Sequence, residues 1–403
     1  MFLRLLILLS SVCIGVHAGS VLAFSEGWPA EGVRIATFNC SFNREREGQL
    51  VTDLEGGRNQ QARKIARILR MTRPAIVLLN EFDFDQDGRA IRSFQNEYLN
   101  ADQDWVSEAP VSYPYHFAAP VNTGVPTGRD LDHDGKSDGP GDAFGFGRFP
   151  GQYGMVVLSQ FPIDPAAVRS FQQLLWKDMP GAVLPPTDGS GNGSWYSEDD
   201  LAIFRLSSKS HWDVPIQVHG ATLHFLVSHP TPPAFDGPED RNGRRNHDEI
   251  RLWADYISGE PRDWLKDDRG QTGNLAGQAM FVIAGDLNAD PSDGASYRHA
   301  IQQLLGHPKI DSTFTPSSEG GSEASETQKQ MNLQHLGNPA YDTADFGDRA
   351  VGNLRADYVL PSVTLKTISS GIFWPAAGQP GADLVTASDH RLVWINVVPA
   401  SGN

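Results

Sequence analysis

The chain has 403 residues, 39% hydrophobic and 20% charged, with 33 basic against 49 acidic side chains and a formal net charge of −16. That composition is globular and long enough for one large core or two ordinary ones. So acidic a surface repels polyphosphate chains unless a basic patch or a metal ion intervenes, which disfavours long nucleic acid as a partner and favours a smaller substrate.

Residues 1–18 carry a lone positive charge at Arg4, an apolar run from Leu5 and the ending Val16-His17-Ala18. This is the three-part pattern of a secretory signal peptide. No later apolar run reaches the ~20 residues that cross a bilayer. The mature chain is therefore expected to be secreted or periplasmic, without a transmembrane segment, and monomeric. Removing Arg4 from the 33 basic side chains leaves 32 against 49 acids, a charge of −17. Cys13 leaves with the signal and Cys40 stands alone, so no internal disulfide forms.

Along the mature chain, residues 33–39 alternate as a strand ending on Asn39. Residues 60–70 have helical apolar spacing, and Ala75 to Asn80 is a buried strand that delivers Glu81. Asp83, Asp85, Asp87 and Gly88 open like a calcium loop but lack a closing acid, and are read as a rim beside Glu81. After an irregular stretch over 111–129, Asp130, Asp132, Asp134, Gly135 and Asp138 repeat the alternating acids and turn glycine of a calcium loop. Lys136 offers a carbonyl there and Asp142 a closing carboxylate, so structural Ca²⁺ is expected. Residues 153–159 resume strand character, 180–200 read as a surface loop, and 222–229 form a strand ending on His229. Residues 246–258 read as a helix. Lys209, Arg244 and Arg245 are the candidates for a local phosphate-facing patch, weighed against a solvated helix face. The apolar run from Phe281 closes on Gly285 and delivers Asp286 and Asn288, two residues apart and so on one side of an extended chain. Residues 297–305 read as a short helix and 316–330, rich in Ser, Glu and Gly, as mobile. Strands over 355–360 and 392–398 flank Ser388-Asp389-His390. The simplest organisation is one domain over 33–399 with insertions near 120–150, 180–215 and 315–350.

Each polar strand end taken alone is equally a turn former or a surface group. Taken in order, Thr-Phe-Asn39, Leu-Asn-Glu81, Ser-His229-Pro, Gly-Asp286-Leu-Asn288, Asp357-Tyr-Val and Ser-Asp389-His390 resemble the endonuclease/exonuclease/phosphatase superfamily. Asn80 is a departure, since many members carry Gln before the metal-binding Glu. The resemblance implies an α/β (α+β) fold: a four-layer sandwich of two packed mixed β-sheets flanked by helices. It implies a divalent-metal-dependent phosphoesterase that hydrolyses P–O bonds of a small phosphodiester or phosphomonoester by in-line water attack. Asn39, Glu81 and Asp389 would hold Mg²⁺ or Mn²⁺, for which hard oxygen donors are suited. Asp286 would orient or deprotonate the water, Asn288 hold a phosphate oxygen, His229 and His390 contact the phosphate, and Asp357 orient the histidine. An extracellular nuclease and a catalytically silent metal-binding interaction module are the readings set beside it.

Overall fold

The computed structural model describes residues 27–100, 106–187 and 192–400; the expected signal peptide lies outside the described residues. The first half of the chain forms strand β1 (Val33–Phe42), helices α1 (Gln49–Leu54) and α2 (Gln60–Thr72), and strand β2 (Ile76–Phe82). Helix α3 (Arg89–Phe94), strands β3 (Tyr115–Phe117), β4 (Met155–Ser159) and β5 (Arg169–Ser170), and helix α4 (Glu198–Leu201) follow. Strands β6 (His211–Val218) and β7 (Ala221–Ser228) make a hairpin, and helix α5 (Arg241–Ile257) leads to strand β8 (Met280–Asp286). The last part holds helices α6 (Gln302–Leu305) and α7 (Glu319–Gln328) and strands β9 (Ala344–Asp345), β10 (Asn353–Leu354), β11 (Asp357–Pro361), β12 (Leu365–Ile372) and β13 (Val393–Pro399).

Two sheets dominate, one ordered β12-β13-β1-β2-β4-β3 and the other β11-β8-β7-β6-β5. Each is mixed: β1 runs parallel to β2 and β7 parallel to β8, while the other pairs are antiparallel. Because successive side chains on a strand face opposite ways, every central strand splits its apolar residues between two layers. Val33 and Ile35, Ile76 and Leu78, Leu223, Phe225 and Val227, and Val282 and Ala284 meet in one core between the sheets. The alternate set, Phe38, Val77 and Leu79, packs outward under Ala62, Ile65 and Leu69 of α2. On the other sheet Leu226, Phe281 and Ile283 pack outward under Ile250, Trp253 and Ile257 of α5. The result is the four-layer helix, sheet, sheet, helix sandwich.

Local signals set the helix ends. The Asn59 side chain accepts the Ala62 amide at the start of α2, and Arg73 closes it in the left-handed region. Strands β6 and β12 are absent from the sequence reading, β3 and α4 lie in stretches read as irregular or as a loop, and three read elements have other bounds or character. Helix α5 begins at Arg241 instead of 246, so the basic cluster forms its first turns. The stretch 297–305 breaks at Arg298, whose φ of 48° splits it into a tight turn and the short α6. The stretch expected to be mobile contains α7: Ser318 accepts the Gly321 amide as its cap, and the Gly320 amide donates to the Trp374 carbonyl. Composition alone had no view of that distant partner.

Candidate active site

The layer between the sheets ends in polar residues because the inward-facing parity of each strand continues past its last apolar residue. Ile35 is followed on the same side by Thr37 and Asn39, Leu78 by Asn80, Val227 by His229 and Ala284 by Asp286, while Asp357 begins the same row on β11. All of these side chains are buried. They converge on the Asp286 carboxylate. Its Oδ2 accepts the Asn39 amide at 3.0 Å and lies 3.3 Å from His229 Nε2 and 3.6 Å from His390 Nε2. Its Oδ1 accepts the main-chain N–H of Asn288 at 3.0 Å.

Two backbone features make this convergence possible. A side-chain carbon on Gly285 would lie 2.0 Å from the Ser228 carbonyl oxygen, so only glycine permits the close approach of β7 and β8. Ser41, Glu81 and Asn288, just past the regular parts of β1, β2 and β8, are non-glycine residues with φ of 49°, 57° and 52°. Such left-handed conformations cost on the order of 1 kcal/mol each and turn the side chain away from the strand's own row.

Asn80 joins the sheets. Its carbonyl oxygen accepts from Thr37 at 3.2 Å and from the Asp286 main chain at 3.4 Å, while its amide donates to the Ser228 carbonyl at 3.4 Å. Asn80 is thus a buried tie between β2 and the strands that carry His229 and Asp286.

His390 Nδ1 lies 2.8 Å from Asp357 Oδ2, which also accepts the Thr343 hydroxyl at 2.8 Å. The Phe346 ring packs nearly perpendicular to the imidazole, with the ring centroids 5.3 Å apart. Burial opposes a charge on His390, but Asp357 and Asp286 overcome it and push its pKa up to about 10. Burial lifts Asp357 to about 6 against the opposing pull of His390. Asp286 is lowered: burial raises it, and the charges of His390 and His229 with hydrogen bonds from His229 and Asn39 outweigh that. His229 is lowered by burial and by the nearby charge of Lys209, against the pull of Asp286. The site therefore pairs an ionised carboxylate with one charged and one neutral imidazole.

The oxygen donors for a cation lie alongside. The Asn39 amide nitrogen also donates to Glu81 Oε1 at 3.1 Å, so a single donor bridges Glu81 and Asp286. Turning that amide over would present a neutral oxygen in its place. Asp389 is exposed and tied to the end of β1 through the Ser41 hydroxyl at 3.2 Å; Ser388 holds the Asn39 carbonyl at 2.8 Å. These oxygen donors fit a hard divalent cation. Ligand atoms of Asp286, Asp357 and His390 also lie within 4.8 Å of one another. There, however, His390 Nδ1 faces Asp357 at hydrogen-bond distance, the arrangement of an oriented imidazole.

The other expected contacts separate. Lys209 is buried beside the site. Arg245 spends its guanidinium on the carbonyls of Leu206, Phe144 and Arg205, and Arg244 stacks over the Tyr297 ring at 4.7 Å. In the acidic loop, carboxylate oxygens of Asp130, Asp132 and Asp134 lie within 4.8 Å of one another, without Asp138 or Asp142. Asp142 accepts the Leu131 and Gly139 amides, and Lys136 is exposed. Thr343 and Phe346 escaped the sequence reading because they lie in loops with no periodic signal, and Ser41 because it follows the regular part of β1. Thr37 was within reach, two residues before Asn39.

No curated protein matches the chain. Its structure is similar to that of an endonuclease/exonuclease/phosphatase from Beutenbergia cavernae, at 15% identity over 92% of this chain and 72% of that one, with a TM-score of 0.48. It is also similar to sphingomyelinase C from Streptomyces griseocarneus, at 15% identity over 91% and 99% with a TM-score of 0.46. A third similarity is to TDP2 from C. elegans, at 13% over 91% and 74% with a TM-score of 0.40. Among the described residues no helix is long and apolar enough to cross a membrane. The sequence pattern of the endonuclease/exonuclease/phosphatase family matches residues 36–390, which span every strand end in the site. The chain belongs to that family.

Proposed function

We propose that the protein is an exported phosphoesterase that hydrolyses a small phosphodiester or phosphomonoester with Mg²⁺ or Mn²⁺. The observation that carries this reading is the Asp286 carboxylate, buried and held ionised where Asn39, His229 and His390 meet. A bound cation would neutralise phosphoryl oxygens and stabilise the leaving oxygen, and Asn39, Glu81 and Asp389 would hold it. Asp286, an acceptor only, orients the attacking water and takes its proton. His390 carries a proton that its hydrogen bond to Asp357 leaves free at Nε2, where it meets developing negative charge on the phosphoryl group. His229 faces the same carboxylate and completes the wall, and the Asn288 amide, which donates to the Pro230 carbonyl at 3.2 Å, would hold a phosphate oxygen. Export is supported by the three-part pattern of residues 1–18. The net charge of −16 supports a small ester over long duplex DNA.

The test is release of p-nitrophenol from bis-p-nitrophenyl phosphate and from the monoester with Mg²⁺, Mn²⁺ or Ca²⁺. No turnover above that of Asp286→Ala, across nucleotide, sugar and lipid head-group esters, overturns the proposal. A second reading concerns the acidic loop. The clustered Asp130, Asp132 and Asp134 and the buried, unpartnered Oδ1 of Asp130 support a structural Ca²⁺ there. Calcium should raise the melting temperature of the wild type and leave an Asp132→Asn/Asp134→Asn variant unmoved.

A further inference from the structure

The two histidines that face Asp286 are held in different ways. His390 is aimed through its ring, because Nδ1 lies 2.8 Å from Asp357. His229 has no such support: its Nδ1 is buried and has no hydrogen-bond partner among the described residues. The placement of its imidazole therefore follows from the main chain that carries it. Whatever fixes that main chain sets the 3.3 Å separation of His229 Nε2 from Asp286 Oδ2.

One row of α5 does this from the outer face of the sheet. Asn246, Glu249 and Trp253, three and four residues apart, project from the same side of the helix, and all three are buried. Trp253 Nε1 donates to the Ser228 hydroxyl at 2.9 Å, and Glu249 accepts the Ser208 and Thr231 amides, each at 2.6 Å. The Asn246 side-chain amide donates to the Thr231 carbonyl at 2.8 Å. Ser228 and Thr231 bracket His229 and Pro230, so the helix grips the turn on both sides of the histidine.

Asn246 also reaches a second turn. Its amide donates to the Leu287 carbonyl at 2.9 Å, between Asp286 and Asn288. A single NH₂ group thus joins the turn after β7 to the turn after β8 with both of its donors. Turning the amide over would set its oxygen against two carbonyls, so its orientation is fixed. That oxygen is buried and has no hydrogen-bond partner, and the fold tolerates it there to keep both donors on the carbonyls. The Asn288 amide makes another bond between these turns, to the Pro230 carbonyl at 3.2 Å, but that amide is the one proposed for the substrate. The Asn246 bonds are independent of the substrate.

We infer that Asn246 is a positioning residue for the proposed hydrolysis: acting through the main chain of Thr231 and Leu287, its amide sets the spacing of His229 from Asp286. The inference rests on the reading of the site as a phosphoesterase.

The experiment compares Asn246→Leu with His211→Ala in the full mature protein. The second variant loosens the same packing of α5 on the β6–β7 hairpin at a residue bonded to Ser207 and the Glu249 carbonyl. Hydrolysis of bis-p-nitrophenyl phosphate with Mg²⁺ is measured well below both melting temperatures. Asn246→Leu should lower kcat about 30-fold and leave KM within about threefold, since a misplacement of 1 Å costs on the order of 10²-fold. His211→Ala should keep kcat within about threefold, however much stability it loses. In a His229→Ala background, Asn246→Leu should cost no more than about threefold, because the group it positions is gone. Equal losses of kcat in Asn246→Leu and His211→Ala overturn the inference, as does an undiminished loss in the His229→Ala background. Asn246→Ser, too short to reach both carbonyls, carries the same expectations should the Leu variant fail to fold. If neither folds while His211→Ala does, Asn246 is structural and the inference fails. Histidine ring resonances give a reading independent of turnover. The cross-peaks of His229, assigned by their absence in His229→Ala, should shift or vanish in Asn246→Leu and keep their place in His211→Ala. If the wild type hydrolyses no ester and these peaks behave so, the proposed activity fails and the positioning stands. If the wild type is active and Asn246→Leu leaves both kcat and the peaks unchanged, this inference fails alone.

Discussion

The surroundings of His211 and of His390 are two solutions to one problem. Both imidazoles are nearly inaccessible, at 1% and 5% exposure. His211 lies 2.6 Å from the Ser207 hydroxyl and 2.9 Å from the Glu249 carbonyl, both neutral partners, so burial prevails and lowers its pKa to about 4. His390 lies between two carboxylates, and the same burial is overruled. Depth does not set the charge of a buried histidine here; the formal charge of its partners does. One environment braces the β6–β7 hairpin and α5, and the other favours a charged imidazole beside Asp286.

The comparison breaks most completely at the acidic partner of His390 in the proposed active site. Asp286→Asn should lower kcat/KM on bis-p-nitrophenyl phosphate by about 10³-fold or more, within the range of losing a general base and an electrostatic anchor. Its circular dichroism should stay native. Asp357→Asn should lower kcat/KM by about 10²-fold, because the ring of His390 keeps its place but loses the charge that orients it and favours its proton. A loss of threefold or less would mean that Asp357 serves only packing.

The structural environment should answer in stability instead. His211→Ala should destabilise by about 2–4 kcal/mol in denaturant titrations, since it leaves a cavity and removes the bonds to Ser207 and to the Glu249 carbonyl, while kcat changes little. The pH dependence has a definite sign. The unfolded histidine takes up its proton near 6.5 and the folded one only near 4. Its contribution is therefore full above pH 6.5 and is lost as pH falls from 6.5 towards 4. The variant should show a shallower loss of stability across that window than the wild type.

The smallest expected effect comes from a third arrangement, a carboxyl among carboxylates. Asp342 is buried, with Asp290 and Asp293 adding to the effect of burial, and its pKa rises to about 8. With the folded value above the unfolded 3.8, its stabilising term is complete below pH 3.8 and is lost as pH rises towards 8. Asp342→Asn escapes that loss. It should raise the melting temperature by about 1–3 °C at pH 9 and by less at pH 5.

How much of this was legible in the sequence follows from one geometric rule. Side chains two apart share a face, so the apolar row Val33, Ile35 or Val282, Ala284 already pointed towards Asn39 and Asp286, and the central sandwich and its polar end could be read together. What could not be read depended on distant partners. Arg244 and Arg245 looked like a phosphate patch because charge is visible in a sequence and the carbonyls that absorb Arg245 are not. Segment 316–330 looked mobile because its composition is polar, although the Trp374 carbonyl meets the start of α7. Strand β6 was hidden by Pro215, and Thr343 by a loop that only the folded chain brings to Asp357.

The left-handed residues at 41, 81 and 288 have a consequence for descent. A glycine at any of them would relax the backbone and stabilise the fold by a few tenths of a kcal/mol or more, so mutation alone drifts towards glycine there. The proposed roles of the carboxylate at 81 and the amide at 288 oppose that drift, and so do the bonds of the Ser41 hydroxyl to Ser388 and Asp389. Relatives that have given up hydrolysis should therefore show glycine at these corners before their cores change, and relatives that retain it should not.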